Sequence, residues 1–363
     1  MYRTFRLRGR DLRIGIIASP FISVPPPAYG GTELFIANLA EELVRLGANV
    51  KVYTNGESTV KTPIRWLFPQ HEWPLSTESA GLIKEIDHNA WAIEQANAEC
   101  DIVHINSALA VPLTRITDKP VVCTLHHPFE PPLSDLYERY SDIRYVSISA
   151  HQASLVPGIL SQVIYHGIDI ARYHFLEQKQ PYLCFLGRIC PIKGTHNAIE
   201  IAKRLGMPLK IAGEIQPIFQ SYFEAKILPH LDGKNIEFVG EADFATKNEL
   251  LSHATALLFP IEWHEPFGLI MIEAMACGTP VIAFPGGAVE ELVRDGVAGK
   301  VCQDIQECVR VLRTAHFEPR QIRKWAQDNF SSHTMATRYC ELYSDLLRLD
   351  SCDGSSDRTK AAA

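Results

Sequence analysis

The chain has 363 residues, 46% of them apolar, and a formal net charge of −7. That length exceeds one ordinary core and calls for two domains, and an acidic balance argues against a general nucleic-acid binder. No run approaches the ~20 apolar residues of a membrane span, and the N-terminus lacks the apolar core of a signal peptide.

The first residues carry Arg3, Arg6, Arg8, Arg10 and Arg13. They read as a solvated arm, or as a contact for an anionic membrane surface or acidic acceptor. From there short apolar runs alternate with helical patterns, the signature of an α/β fold with parallel sheets. Leu12–Ala18 is predicted as a strand, and Glu33–Leu46 as an amphipathic helix stopped at Gly47. Asn49–Thr54 follows as a strand, Ala90–Ala98 as a helix, then strands Ile102–Ile105, Val121–Leu125, Tyr145–Ile148 and Val163–His166. The stretch from Gly167 to Pro181 is polar and irregular, a linker.

A second series begins at Tyr182–Leu186. Helix Lys193–Leu205, strands Leu209–Ala212 and Ile236–Val239, helix Lys247–Ala254 and strand Ala256–Phe259 continue it. Helix Gly268–Cys277, strand Val281–Ala283 and helices Ile305–Ala315, Pro319–Asn329 and Thr334–Leu349 complete it. Two doubly wound, Rossmann-like domains in tandem would face a cleft lined by the C-terminal ends of their strands. The boundaries read as 1–167, a linker at 168–181, 182–333, and a disordered tail at 351–363. The nine cysteines show no C-x-x-C spacing; Cys184, Cys190, Cys277 and Cys302 fall in or near apolar runs and read as small core residues, and reduced thiols in a cytosol are the simplest account.

Four groups of residues fall where such sheets bind ligands. Gly30-Gly31-Thr32-Glu33 opens the first helix after a proline-rich loop. Two glycines permit close backbone approach, but they do not form G-x-G-x-x-G, which disfavours a dehydrogenase. His126 ends the strand Val121–Leu125 and is followed by His127. Leu186-Gly187-Arg188 and Lys193-Gly194 put two cations, five residues apart, after the first strand of the second series, within reach of one pyrophosphate. Last comes Glu265-Pro266-Phe267-Gly268, leading through Glu273 to Gly278-Thr279-Pro280. Two carboxylates stand eight apart, one in a loop and one in a helix, with Gly268 at the helix start. A carboxylate can accept hydrogen bonds from a diol, and a helix start suits phosphate. Diol, phosphate, diol describes a nucleotide sugar.

This segment resembles the E-x7-E motif of retaining glycosyltransferases of family 4, and the resemblance runs from about Leu12 to Leu349. It implies the GT-B fold, with Thr334–Leu349 crossing back to the first domain. It implies a hexosyltransferase that moves sugar from a nucleotide diphosphate donor to an acceptor hydroxyl. UDP is the first choice of nucleotide and GDP the second; the acceptor is carbohydrate, lipid-linked or a small molecule. The resemblance assigns Arg188 and Lys193 to the diphosphate, Glu265 to the donor sugar and Glu273 to the ribose. Phe267, Gly268 and Leu269 would meet phosphate through their backbones, with Gly30 and Gly31 near the diphosphate and acceptor. Gly213 and Val239 would line the base pocket. A histidine near the reaction centre is expected, His126 being favoured over His127. With no D-x-D motif, neither metal nor cofactor is expected. The place implied is the cytoplasm, with peripheral contact at the inner membrane face. A sugar-nucleotide epimerase on the same fold and a non-catalytic nucleotide-sugar-binding protein are the alternatives.

Overall fold

The computed structural model describes residues 6–7, 10–27, 30–72, 78–128 and 130–353. A short hairpin, β1 (Arg6–Leu7) with β2 (Arg10–Asp11), precedes the first sheet. Arg3 and Arg8 of the basic run lie outside the described residues.

The first sheet has seven parallel strands: β3 (Arg13–Ile17), β4 (Asn49–Thr54), β5 (Ile64–Trp66), β6 (Ile102–Ile105), β7 (Val121–Leu125), β8 (Arg144–Ser147) and β9 (Ser161–Val163). Their order is β5-β4-β3-β6-β7-β8-β9, so the winding reverses beside β3, where α/β sheets open a crevice. Helices α1 (Gly31–Arg45), α2 (Glu78–Glu99), α3 (Pro131–Arg139) and α4 (Ala150–Ser154) accompany it. Ile14, Ile16 and Ile17 are all buried, as expected of a strand covered on both faces.

The second sheet has six parallel strands: β10 (Gln180–Leu186), β11 (Leu209–Ala212), β12 (Ile236–Gly240), β13 (Ala254–Phe259), β14 (Val281–Ala283) and β15 (Gly299–Val301). Their order, β12-β11-β10-β13-β14-β15, reverses beside β10. Helices α5 (Thr195–Leu205), α6 (Gln220–Lys226), α7 (Phe244–His253), α8 (Leu269–Ala276), α9 (Val289–Leu292), α10 (Ile305–Thr314), α11 (Pro319–Phe330) and α12 (Ser332–Asp353) follow.

The expected elements are present, with four differences that have physical causes. Helix α2 starts at Glu78 instead of Ala90, because its early turns expose Leu82, Ile83 and Ile86 and show no apolar period to read. The helix expected from Lys193 begins at Thr195, because Gly194 adopts φ 73° between it and a 3-10 turn. The strand expected at Val163–His166 lies at Ser161–Val163, and His166 turns into the core. Helix α12 runs on to Asp353, into the segment expected to be a tail; residues beyond it lie outside the described ones. Short strands β5 and β15 had no sequence signal.

Helix α12 leaves the second half and packs on the first. Met335, Ala336, Tyr339, Cys340 and Tyr343 share a core with Ile14, Leu39 and Leu43. Its two tyrosines need polar partners there. Tyr339 Oη bonds Thr124 Oγ1 at 2.8 Å, which also bonds His104 Nε2 at 2.8 Å. Tyr343 Oη closes the network on His104 Nδ1, again at 2.8 Å. The two chain crossings meet at one point: Ile168 N–H donates to Phe330 O at 2.9 Å, and Ser332 N–H to Ile168 O at 2.8 Å.

Among the described residues eight cysteines are buried and unbridged, and no helix is long and apolar enough to cross a membrane.

Tyr343→Phe should cost about 1 kcal/mol in urea unfolding, the price of one buried hydrogen bond, and Tyr343→Ala about 3–5 kcal/mol. A Tyr343→Phe variant as stable as the parent would mean that the hydroxyl network contributes nothing. Acid should weaken the fold. Burial lowers the pKa of His88 to about 4 and of His104 and His166 to about 3. In the unfolded chain each takes a proton below about pH 6.5. Their stabilising effect is whole above that pH and falls away towards pH 4 and then 3. Near pH 5 these three alone give unfolding a slope of roughly 4 kcal/mol per pH unit, about a third of it lost in His104→Gln. Urea titrations across pH 4–7 measure it; an unchanged slope in the variant would contradict the assignment.

Candidate active site

In the second half, three neighbouring strand ends are laced together. Gly187 N–H donates to Ala212 O at 3.1 Å and Gly213 N–H to Gly240 O at 2.9 Å. A Cβ at Gly213 would fall 1.8 Å from Gly187 O, so only glycine allows this approach. Val239, near the end of β12, is 38% exposed. Arg188 follows β10 and is half-buried. Beyond it the 3-10 turn Pro191–Lys193 lifts Lys193 towards the loop after β13. Gly194 again has no room for a side chain, since a Cβ would stand 1.8 Å from Pro260 O.

The loop after β13 carries Glu265, whose backbone bridges to Gly287 and accepts from Ala288 N–H at 2.8 Å. The Gly286-Gly287 turn therefore shapes the loop, and Glu290 folds back to accept from Gly286 N–H at 3.4 Å. Glu265 is only 8% exposed, and such a carboxylate needs a partner. Lys193 Nζ forms an ion pair with its Oε2, and Trp263 Nε1–H donates to the same oxygen at 3.1 Å. The Lys193 ammonium also sits 4.4 Å from the Trp263 ring centre. Glu262, three residues earlier in the same loop, accepts from Asn197 Nδ2 at 2.8 Å.

Gly268 caps α8 with φ 88°, and a Cβ there would meet Met271 Cε at 2.6 Å. In the first turn of α8 Met271 N–H donates to the cap carbonyl of Gly268 at 3.0 Å, and the amides before it, including Leu269, have no acceptor within the helix. One turn later Glu273 is 2% exposed. Its Oε1 accepts from Tyr173 Oη–H at 2.9 Å and pairs with the Lys247 ammonium.

The first half meets this surface with its glycine loop. A Cβ on Gly31 would lie 3.6 Å from Leu269 Cδ1, so the start of α1 lies close to the start of α8. In the first turn of α1, burial raises the Glu33 carboxyl pKa to about 7, its own backbone N–H working against the shift and the charge of Glu85 adding to it.

His126 follows β7. Its Nε2 bonds Asn106 Oδ1 at 2.9 Å, and its ring stacks on His166 with centroids 5.3 Å apart. Burial, and then His166, hold its pKa well below the ordinary value, so the ring is neutral. His166 meets Phe267 edge-on at 4.9 Å. Phe267 is therefore buried at the junction of the halves, whereas Trp263 is half-buried beside Glu265. His127 is exposed, with its carbonyl held by Gln152 Nε2 at 2.7 Å.

Lys193 and Glu265 are thus paired, and Gly268, Leu269 and Gly31 lie close together beside them. His126 reaches the same junction through His166 and Phe267, while Gly213 and Val239 sit on the laced strand ends. Sequence reasoning missed Lys247, Tyr173, His166 and Glu291. Glu291 spans the halves: Ala150 and His151 N–H donate to its carboxylate at 2.8 and 2.7 Å, and Tyr165 Oη–H at 2.9 Å. None of the four stands in a recognisable spacing. Among the described residues no cluster of His, Cys, Asp or Glu is arranged to hold a metal ion.

Two family models match in tandem: Glycosyltransferase Family 4 over residues 29–172, and Glycosyl transferases group 1 over residues 169–315. The chain is 31% identical over 206 residues to a glycogen synthase of Mycobacterium tuberculosis, a match covering 52% of this chain and 49% of that protein. It thus spans about half the length of that relative. It is 26% identical over 346 residues to a D-inositol 3-phosphate glycosyltransferase of Mycolicibacterium smegmatis, covering 79% and 78%. Among solved structures, Anabaena HepE in complex with UDP and glucose superposes with a TM-score of 0.72 at 20% identity, covering 92% of this chain and 99% of that one. Two glycosyltransferase domain models thus stand side by side on two parallel sheets, and the chain has the GT-B fold of the solved structures it resembles.

Proposed function

We propose that the chain moves a hexosyl group from a nucleotide diphosphate sugar to an acceptor hydroxyl, with retention at the anomeric carbon and without a metal ion. The observation that carries this reading is the pair of buried carboxylates, Glu265 and Glu273, on either side of the Gly268 helix start, each already supplied with a lysine.

Glu273 takes the ribose hydroxyls, and Gly213 and Val239 flank the base. The backbones of Phe267, Gly268 and Leu269 receive the diphosphate at the positive end of α8, with Gly30 and Gly31 closing over it. Arg188 and Lys193 stabilise the charge that gathers on the leaving diphosphate, the work a metal ion does elsewhere. Glu265 holds the sugar hydroxyls. In the structure Lys193 and Glu265 neutralise one another, so neither is a buried lone charge before the donor arrives. His126 offers a neutral ring at the reaction centre, a hydrogen-bond partner and not a cation. The first half holds the acceptor, and the departing phosphate takes its proton on the same face of the sugar. UDP is favoured over GDP as the nucleotide; HepE, on the same fold, binds UDP.

Lys193→Ala and Glu265→Gln should each lower kcat by about 100-fold or more, the usual loss when one preorganised electrostatic contact is removed. Turnover of UDP-hexose with an acceptor panel measures it; variants as fast as the parent would remove both from the site. Turnover should also survive excess chelator, and loss of activity restored by a divalent ion would refute the metal-free reading. NMR of the first product should show the donor's anomeric configuration kept.

A further inference from the structure

Glu273 and the chain that joins the two domains meet at one hydroxyl. Tyr173 lies just past the 3-10 turn Ile170–Arg172, on that joining segment. It is buried in the core of the second half, and its Oη–H donates to Glu273 Oε1 at 2.9 Å. Lys247, from α7, sets its ammonium on the same oxygen. Both contacts fall on Oε1, and Glu273 Oε2 makes no hydrogen bond among the described residues. A carboxylate held at one oxygen by two donors from different elements has lost its freedom to turn. The ammonium alone would not do this, because it is a rotating point charge; the hydroxyl on a packed ring has a fixed direction.

The same tyrosine is anchored to the helix that carries Glu273. Arg323 Nη1 donates to Tyr173 O at 3.0 Å and to Ala276 O, the last residue of α8, at 2.5 Å. Its Nη2 reaches Ile170 O at 3.1 Å. One residue on, His174 N–H donates to Asn248 Oδ1 at 2.9 Å, and Asn248 Nδ2 donates back to Arg172 O at 2.9 Å. Linker, α7 and α8 therefore form one rigid unit. Burial, then the charge of Glu273, push the Tyr173 hydroxyl well above its usual pKa, so it remains a donor.

We infer that Tyr173 is a positioning residue for the donor: with Lys247 it locks the Glu273 carboxylate so that Oε2 is presented to the ribose hydroxyls, and it ties that carboxylate to the interdomain linker. This rests on the reading of Glu273 as the ribose ligand.

The experiment titrates the full chain calorimetrically with UDP and with 2′,3′-dideoxy-UDP, which lacks the ribose hydroxyls. The proteins are the parent, Tyr173→Phe, Glu273→Gln and the double variant, each checked for an intact melting transition. The parent should prefer UDP by about tenfold or more, and Glu273→Gln should abolish that preference. Tyr173→Phe should weaken UDP by about five- to tenfold while leaving the dideoxy compound within about twofold, and should add nothing in the Glu273→Gln background. If Glu273→Gln abolishes the preference and Tyr173→Phe keeps it whole, the positioning role is wrong and the ribose reading stands. If Tyr173→Phe weakens both nucleotides alike, the tyrosine serves the fold and the inference is again overturned. A parent that does not distinguish the two nucleotides overturns the ribose reading, and this inference with it.

Discussion

A carboxylate taken out of water must be given a counter-charge, and that requirement organises the second half of this protein. Glu265 and Glu273 flank one helix start, and each is answered from a different element. Lys193 comes from the turn after β10, Lys247 from α7, and Tyr173 from the linker. These demands draw the loop after β13, the neck of α5 and the linker towards α8. The glycines at 194, 213 and 268 follow from the same crowding, since each backbone approaches a neighbour that a side chain would strike.

The boundary between the halves is held by a different kind of contact. Glu291 reaches from α9 to the amides at the start of α4, where negative charge is favoured by the helix end. His151 stacks on His264, and His126 on His166, which leans on Phe267. The crossings at Ile168 and Ser332 lie together, bonded to one another and to Phe330. A hinge at that point would carry the linker with the second half, because Arg323, Asn248 and Lys179 fasten residues 170–179 there.

Much of this architecture is legible in the residues, for reasons that also say why the rest is not. Strands buried along most of their length, such as Asn49–Thr54, Val121–Leu125 and Leu209–Ala212, are short runs dominated by apolar residues with polar ones set among them, and they show their own ends. Strand β5 is exposed at Arg65 and Trp66, and the early turns of α2 expose Leu82, Ile83 and Ile86, so neither leaves a pattern. Of the candidate site, Gly30, Arg188, Lys193, Glu265 and Glu273 stand in spacings that suggest nucleotide-sugar chemistry. Tyr173 and Lys247 do not: they meet Glu273 from 100 and 26 residues away, and a single tyrosine or lysine says nothing alone. The direct pairing of Lys193 with Glu265 across 72 residues is equally hidden, because the spacing of each points only to the ligand.

Helix α12 gives the molecule an order of assembly that differs from its order in the chain. The core of the first sheet includes Tyr339 and Tyr343, which bond to Thr124 and His104 from 215 and 239 residues further along. Domains usually fold from the N-terminus as they leave the ribosome. Here the first domain is translated early yet keeps an open apolar groove along α1 until the whole second domain has been made. The nascent chain therefore carries an unfinished surface while the second domain is being made, and α12 is the helix that closes it.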